Sequence, residues 1–120
     1  MAKKQYYLIS LKWTYPSSGA FTLWRKHAQG YCWYKEWAGL FENNIKNYDD
    51  GYDTVAVERA IIEPHFVDCV YEGKIVSLLL NTPKIRKIIG IKKSQLRGGG
   101  SIITKSEILK FADLKRVKEE

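Results

Sequence analysis

Residues 23–39, LWRKHAQGYCWYKEWAG, carry Trp24, Tyr31, Trp33, Tyr34 and Trp37 with Arg25, Lys26 and Lys35 among them. Stacking on nucleobases needs exposed π faces, and neutralising phosphates needs cations; each stacked base is worth about 1–3 kcal/mol. On a strand, successive side chains alternate faces, so Tyr31 and Trp33 share one side while Cys32 and Tyr34 share the other. All five aromatics cannot point outward. Trp24 and Trp33 are expected to fill a core, and Tyr34 and Trp37 are the candidates for stacking.

A second set is basic. Lys84, Arg86, Lys87, Lys92, Lys93 and Arg97 follow one another with no acid between them. With a Debye length of about 8 Å, charges this close share one field. The imbalance is regional: residues 1–50 hold 7 basic against 4 acidic residues, 51–82 hold 2 against 5, and 83–120 hold 11 against 4. The whole chain carries +7 with a pI near 9.4. That balance favours a polyanionic partner, although a basic stretch can equally be a solvated face.

The remaining reactive types are sparse. His27 with Cys32 and His65 with Cys69 could supply four zinc ligands, but their spacing matches no common zinc pattern. Buried thiols with surface or capping histidines are the expected alternative. A Cys–His nucleophile pair oriented by Asp68 or Asp53 has no more support. Asp49-Asp50 lies in a turn-like loop, where Asp serves local hydrogen bonding. Arg97-Gly98-Gly99-Gly100-Ser101 lacks the Lys-Ser/Thr that follows the glycines of a P-loop. The sequence therefore predicts no enzyme, no catalytic residues, no metal and no cofactor.

The elements that must hold these residues follow from periodicity. Tyr7, Ile9, Leu11 and Trp13 alternate with Leu8, Ser10, Lys12 and Thr14, which predicts a strand. Pro16-Ser17-Ser18-Gly19 is a turn by composition, and Ala20–Trp24 returns as a second strand. Gly30–Tyr34 reads as a third. Trp37, Leu40, Phe41 and Ile45 recur at helical spacing and predict a short helix over 37–46, with Gly39 costing it about 1 kcal/mol. Thr54–Ile62 reads as a strand that Glu63-Pro64-His65 interrupts. Phe66–Tyr71 and Ile75–Leu80 flank a three-residue loop, Glu72-Gly73-Lys74.

The period then changes. Thr82 is an N-cap, Pro83 suits the first helical position, and Gly90 sits where a helix ends. Ile85, Ile88 and Ile89 mark the apolar face, so Lys84 and Arg86 are both expected to be dispensable for folding. Residues 97–101 read as a flexible joint. Thr104-Lys105-Ser106-Glu107 is a capping box opening a last helix near 105–117, with Ile108, Phe111 and Ala112 on its buried face.

With 120 residues there is room for one core. The expectation is an α+β domain over 1–97, in which an antiparallel sheet from 6–35 and 54–80 packs against two or three short helices. Residues 98–120, the glycine joint and terminal helix, are expected to pack on the same domain. No apolar run approaches the roughly 20 residues of a membrane span, the start lacks a signal-peptide pattern, and two cysteines suit a reducing compartment. No membrane partner and a cytoplasmic location are expected.

Two resemblances add to this. PKIRKIIGIKKSQLR, residues 83–97, is similar to a helix-turn-helix core: a helix, Gly90 at the turn, apolar Ile91, then a short basic segment with Leu96. It departs from that pattern at Arg86, where a small residue normally lets the helices cross. More broadly, YYLISLKWT, FTLWR, GYCWY, WAG and NTPKIRKIIGI together resemble small uncharacterised proteins of phages and prophages, over most of residues 1–91. That resemblance implies a mobile-element origin and assigns no chemistry. The resulting expectation is a non-enzymatic phage-type accessory protein that binds nucleic acid through Lys84, Arg86, Lys87, Lys92, Lys93, Arg97, Tyr34 and Trp37. The alternative is an accessory, anti-defence protein that binds a host protein or sequesters a nucleotide.

Overall fold

The computed structural model describes residues 4–42, 45, 48–98, 102–103 and 108–110. It is α+β: antiparallel sheets with two short helices. The centre is β1 (Tyr6–Ser10), flanked on one side by β2 (Thr22–Trp24) and on the other by β4 (Thr54–Glu58). The short β3 (Tyr31–Cys32) continues beyond β2, so the order is β3-β2-β1-β4. Tyr7, Leu8, Ile9 and Ser10 are all buried, so side chains cover β1 on both faces and the alternation has no exposed side there.

The expected single sheet is two. β5 (Val67–Tyr71) and β6 (Lys74–Leu78) form a separate antiparallel pair, joined on the β5 side by β7 (Leu109–Lys110). Isolated bridges link the sheets at Ala20 with Leu80 and at Tyr34 with Leu78. The redirection happens after β4, where the expected strand through Ile62 becomes the helix α1 (Arg59–Ile62) followed by a 3-10 turn over Glu63–His65. Helical spacing is what allows Arg59 Nε to donate to Glu63 Oε2 at 2.8 Å, and Pro64 then turns the chain. The β5–β6 loop is also shorter than expected. Tyr71 pairs with Lys74, leaving only Glu72 (φ 52°) and Gly73 (φ 77°) in the turn, the two positive φ values of a type I′ hairpin.

The helix expected over 37–46 does not form across its described part. Lys35–Trp37 is one 3-10 turn, and the chain then runs extended, with Ala38 bridged to Arg25 and Phe41 to Tyr6. Gly39 N–H donates to Trp24 O at 3.0 Å, so its amide serves β2 and not a helical turn. Residues 43, 44 and 46 of that expectation lie outside the described residues, and Ile45 is in a 3-10 turn. In contrast, α2 (Pro83–Ile89) forms as expected: Thr82 Oγ1 accepts from Ile85 N–H at 3.2 Å, and Gly90 closes it at φ 89°.

Two cores result. The first packs Tyr7, Ile9, Leu11 and Leu23 under Ile85 of α2, with Ile91 and Leu96 beyond it. The second gathers Cys69, Tyr71, Val76 and Leu78 with Ala20 and Ile103, and Trp33 and Tyr34 pack against it. The joint expected at 97–101 is anchored at its start, where Arg97 and Gly98 amides donate to Leu11 O and Thr14 O, both at 3.0 Å. Of the terminal helix expected over 105–117, residues 109–110 are strand, Lys110 facing Cys69 and Leu109 facing Val70. The capping box at 104–107 and residues 111–117 lie outside the described residues. No helix among the described residues is long and apolar enough to cross a membrane.

Candidate nucleic-acid interface

The register of the four-stranded sheet decides what can act together. Residues paired across antiparallel strands share a face, and neighbours along a strand alternate. Ile9, Leu23 and Cys32 are paired in a row, as are Trp24 and Tyr31 one position on. The first row faces the core covered by α2. Trp24 and Tyr31 therefore face the opposite side of the sheet from the basic helix.

On α2 and the following 3-10 turn, Lys93–Gln95, the expected cations divide into two kinds. Lys84, Lys87, Lys92 and Lys93 are exposed and form no ion pair with a described residue. Arg86 is half-buried, and its Nη1 donates to Asn81 Oδ1 at 2.6 Å. Asn81 is buried and holds the Tyr15–Ser18 turn by donating from Nδ2 to Ser18 O at 3.0 Å and Pro16 O at 3.2 Å. Arg86 is thus part of the scaffold, contrary to its expected dispensability. Arg97 is also committed: its guanidinium pairs with Asp53 and stacks 3.9 Å over Tyr52. The helix-turn-helix resemblance stops at this turn, since one 3-10 turn stands where the recognition helix would be.

The other side of the sheet carries an aromatic cleft of about 410 Å³. Two contacting pairs wall it, Trp13 with Tyr31 at 5.8 Å and Tyr34 with Trp37 at 5.2 Å, together with Trp33; Thr22 is also in its lining. Trp37 is 54% exposed and Tyr31 40%. Lys12 Nζ lies 5.3 Å over Trp13, and Arg25 lies 5.4 Å over Trp37. At exposed sites such a cation–π contact is worth about 0.5–1 kcal/mol. A stacked base gives about 1–3 kcal/mol, so a base can displace either cation and leave it free for a phosphate. Trp24, expected to fill a core, belongs to neither: it is half-buried on this side of the sheet, edge-on to Tyr31 at 5.0 Å, and its Nε1 is buried with no hydrogen-bond partner among the described residues.

An adjoining hollow of about 300 Å³ shares Trp13 and Tyr31 and includes Asp50 and Asp53. Both carboxylates are occupied. Asp50 Oδ1 accepts from the amides of Tyr52, Asp53 and Thr54, and its carboxyl is held below the usual range, first by the Tyr52 amide and then by that of Thr54. Asp53 serves Arg97.

The cysteine and histidine pairs stay apart. Cys32 packs against the first core and Cys69 lies inside the second, their thiols directed to Tyr34 O and Val67 O, both at 3.4 Å. His27 is exposed at φ 59°, and His65 ends the 3-10 turn after α1. Among the described residues, no three His, Cys, Asp or Glu side chains are grouped to hold a metal ion. Burial pushes the Cys32 thiol up to about 11, away from its thiolate form.

Tyr34 and Trp37, the two stacking candidates, thus lie together in one cleft, while Trp13, Tyr31, Lys12 and Arg25 join them from outside the expected set. Alternation along the sequence places Trp13 on the Tyr7/Ile9/Leu11 side. The alternation fails because β1 ends at Ser10, whose Oγ accepts from Trp13 N–H at 3.0 Å and whose carbonyl accepts from Thr14 Oγ1 at 2.6 Å. Ser and Thr flanking a strand end are a local signal for such a turn. Comparison of the chain with protein-family models, with curated proteins and with solved structures finds no match.

Proposed function

We propose that this protein is a non-enzymatic, nucleic-acid-binding accessory factor of phage or prophage type, acting in the cytoplasm. Phosphates are contacted by α2 and the turn that follows it. The observation that carries this reading is the set of four exposed lysines, Lys84, Lys87, Lys92 and Lys93, none paired with a described acid. No Asp or Glu occurs between Glu72 and Glu107, so nothing in the local sequence neutralises them. A chain with two cysteines, one half-buried against the first core and one buried in the second, fits a reducing compartment.

Counterion release gives the test. Four phosphate contacts predict a log–log slope of affinity against salt of about −3 to −4. Lys92→Gln with Lys93→Gln is expected to reduce the slope by about 1.5 to 2 and to weaken all sequences alike, since phosphate contacts carry no sequence information. Absence of binding to mixed-sequence single strands, duplex DNA and RNA at about 50 mM salt, where non-specific binders reach micromolar affinity, would refute the reading. A second reading, sequestration of a nucleotide or capture of a host protein by an anti-defence factor, has one observation in its favour: the aromatic cleft faces away from these lysines.

A further inference from the structure

We infer that the aromatic cleft is a stacking subsite for an unpaired nucleobase, its sugar-phosphate chain running past Lys12 and Arg25, and that the protein therefore prefers single strands to duplex. The inference rests on the nucleic-acid reading above and names the form of nucleic acid it selects. Three observations converge on it. The cleft volume, about 410 Å³, is at the small end of ligand-binding clefts and suits flat rings. Its aromatic rings are held in tilted or edge-on contacts, Tyr31 tilted against Trp13 and backed edge-on by Trp24 from outside the cleft, and Tyr34 edge-on to Trp37. An edge contact covers at most one face of a ring, so stacking surface is organised in advance and stays open.

Charge chooses the occupant. The cleft wall is neutral, and the side chains lying over its two outer tryptophans, Lys12 and Arg25, are exposed cations. Of the acids around it, Glu36 Oε1 accepts from Ser77 N–H at 3.1 Å, and Asp50 and Asp53 are bound as described, while Glu72 acts on Tyr34 from the β5–β6 turn, at the end of the cleft away from Lys12. An apolar peptide side chain would find the rings but no use for the cations. A base attached to a phosphate uses both. Duplex DNA cannot enter, because its bases are stacked on each other and only unpaired bases reach a side chain.

The experiment compares a short oligothymidylate with duplex DNA, by tryptophan fluorescence quenching and by anisotropy, in wild type, Trp37→Ala, Tyr31→Ala and Lys92→Gln/Lys93→Gln. Trp37→Ala and Tyr31→Ala are each expected to weaken the single strand about 5- to 150-fold and to leave duplex binding within about twofold. Trp37→Phe keeps a π face and is expected to restore most of the loss, which separates stacking from a folding defect. The lysine pair is expected to weaken duplex more than the short strand, because the cleft lies on the other side of the sheet. Equal losses on single strand and duplex, or no loss on either, would overturn the inference while leaving the basic face intact. Failure of both ligands to bind wild type would overturn the nucleic-acid reading itself. A free mononucleotide or an aromatic peptide bound in the cleft as tightly as the strand would assign the cleft to that ligand instead.

Discussion

Gly39→Ala separates the observed backbone from the helix that its neighbours' periodicity implies, because the two give opposite signs. In a helix the change stabilises by about 1 kcal/mol, since Gly carries the larger entropy loss. In the structure the new methyl carbon would stand 2.8 Å from Lys26 Cα, 2.9 Å from Lys26 N and 3.1 Å from the Arg25 carbonyl carbon. All three are backbone atoms, so no rotamer change relieves the contact. The Gly39 amide, bonded to Trp24 O, resists moving away. Overpacking of this kind costs about 1–3 kcal/mol. With a urea m-value of about 1–3 kcal/mol/M for a domain of this size, the midpoint is expected to fall by roughly 1 M. Unfolding followed by tryptophan fluorescence measures it. Displacing 25–26 from 38–39 also shifts Arg25 relative to Trp37, so affinity for single strands is expected to fall together with stability. An unchanged or raised midpoint would refute the close approach and return the segment to a helix.

Two further substitutions test the scaffold behind the site. Arg86→Ala removes the partner of buried Asn81 and is expected to lower stability by about 1–3 kcal/mol, whereas Lys87→Ala on the same helix changes it by less than about 0.5 kcal/mol; equal midpoints in urea would deny Arg86 its structural role. Glu63 is held below the usual carboxylate range, first by the hydrogen bond from Arg59, then by that from Tyr7. Its contribution is therefore present above the unfolded value, about 4.3, and is lost as pH falls through the lower folded value. The stability gap between wild type and Glu63→Gln should shrink as pH falls below about 4, and a constant gap from neutral to acid pH would contradict this.

The parts of the fold that were legible in the sequence are those whose determinants are local. Thr82, Pro83 and Gly90 mark the bounds of α2 because a cap, a fixed φ and a left-handed end each act within one turn. The β5–β6 hairpin is legible for the same reason, since Glu72-Gly73 accept the positive φ values that join adjacent strands, although its loop proves one residue shorter. Where two local preferences compete, tertiary bonds decide. The stripe of Trp37, Leu40 and Phe41 has helical spacing, yet Phe41 exchanges backbone hydrogen bonds with Tyr6 at 2.8 and 2.9 Å, and a strand-like path results. Ala60-Ile61-Ile62 has strand composition, yet the Arg59–Glu63 pair and the Tyr7 hydroxyl hold it helical.

The residues of the candidate site follow the same division. Sequence alone determined that the chain is basic, that its unneutralised lysines cluster after Pro83, and that aromatics and cations interleave over 23–39, because charge and composition do not depend on folding. Only the tertiary structure decided that these two features sit on opposite sides of one sheet. Leu23 and Trp24 are chain neighbours, but β pairing turns one toward the core beneath α2 and the other toward Tyr31. Nothing in the order of residues says which face a helix sixty residues later will cover. That depends on where Ile85, Ile91 and Leu96 find apolar surface, and the aromatic cleft opens on the side that α2 does not cover.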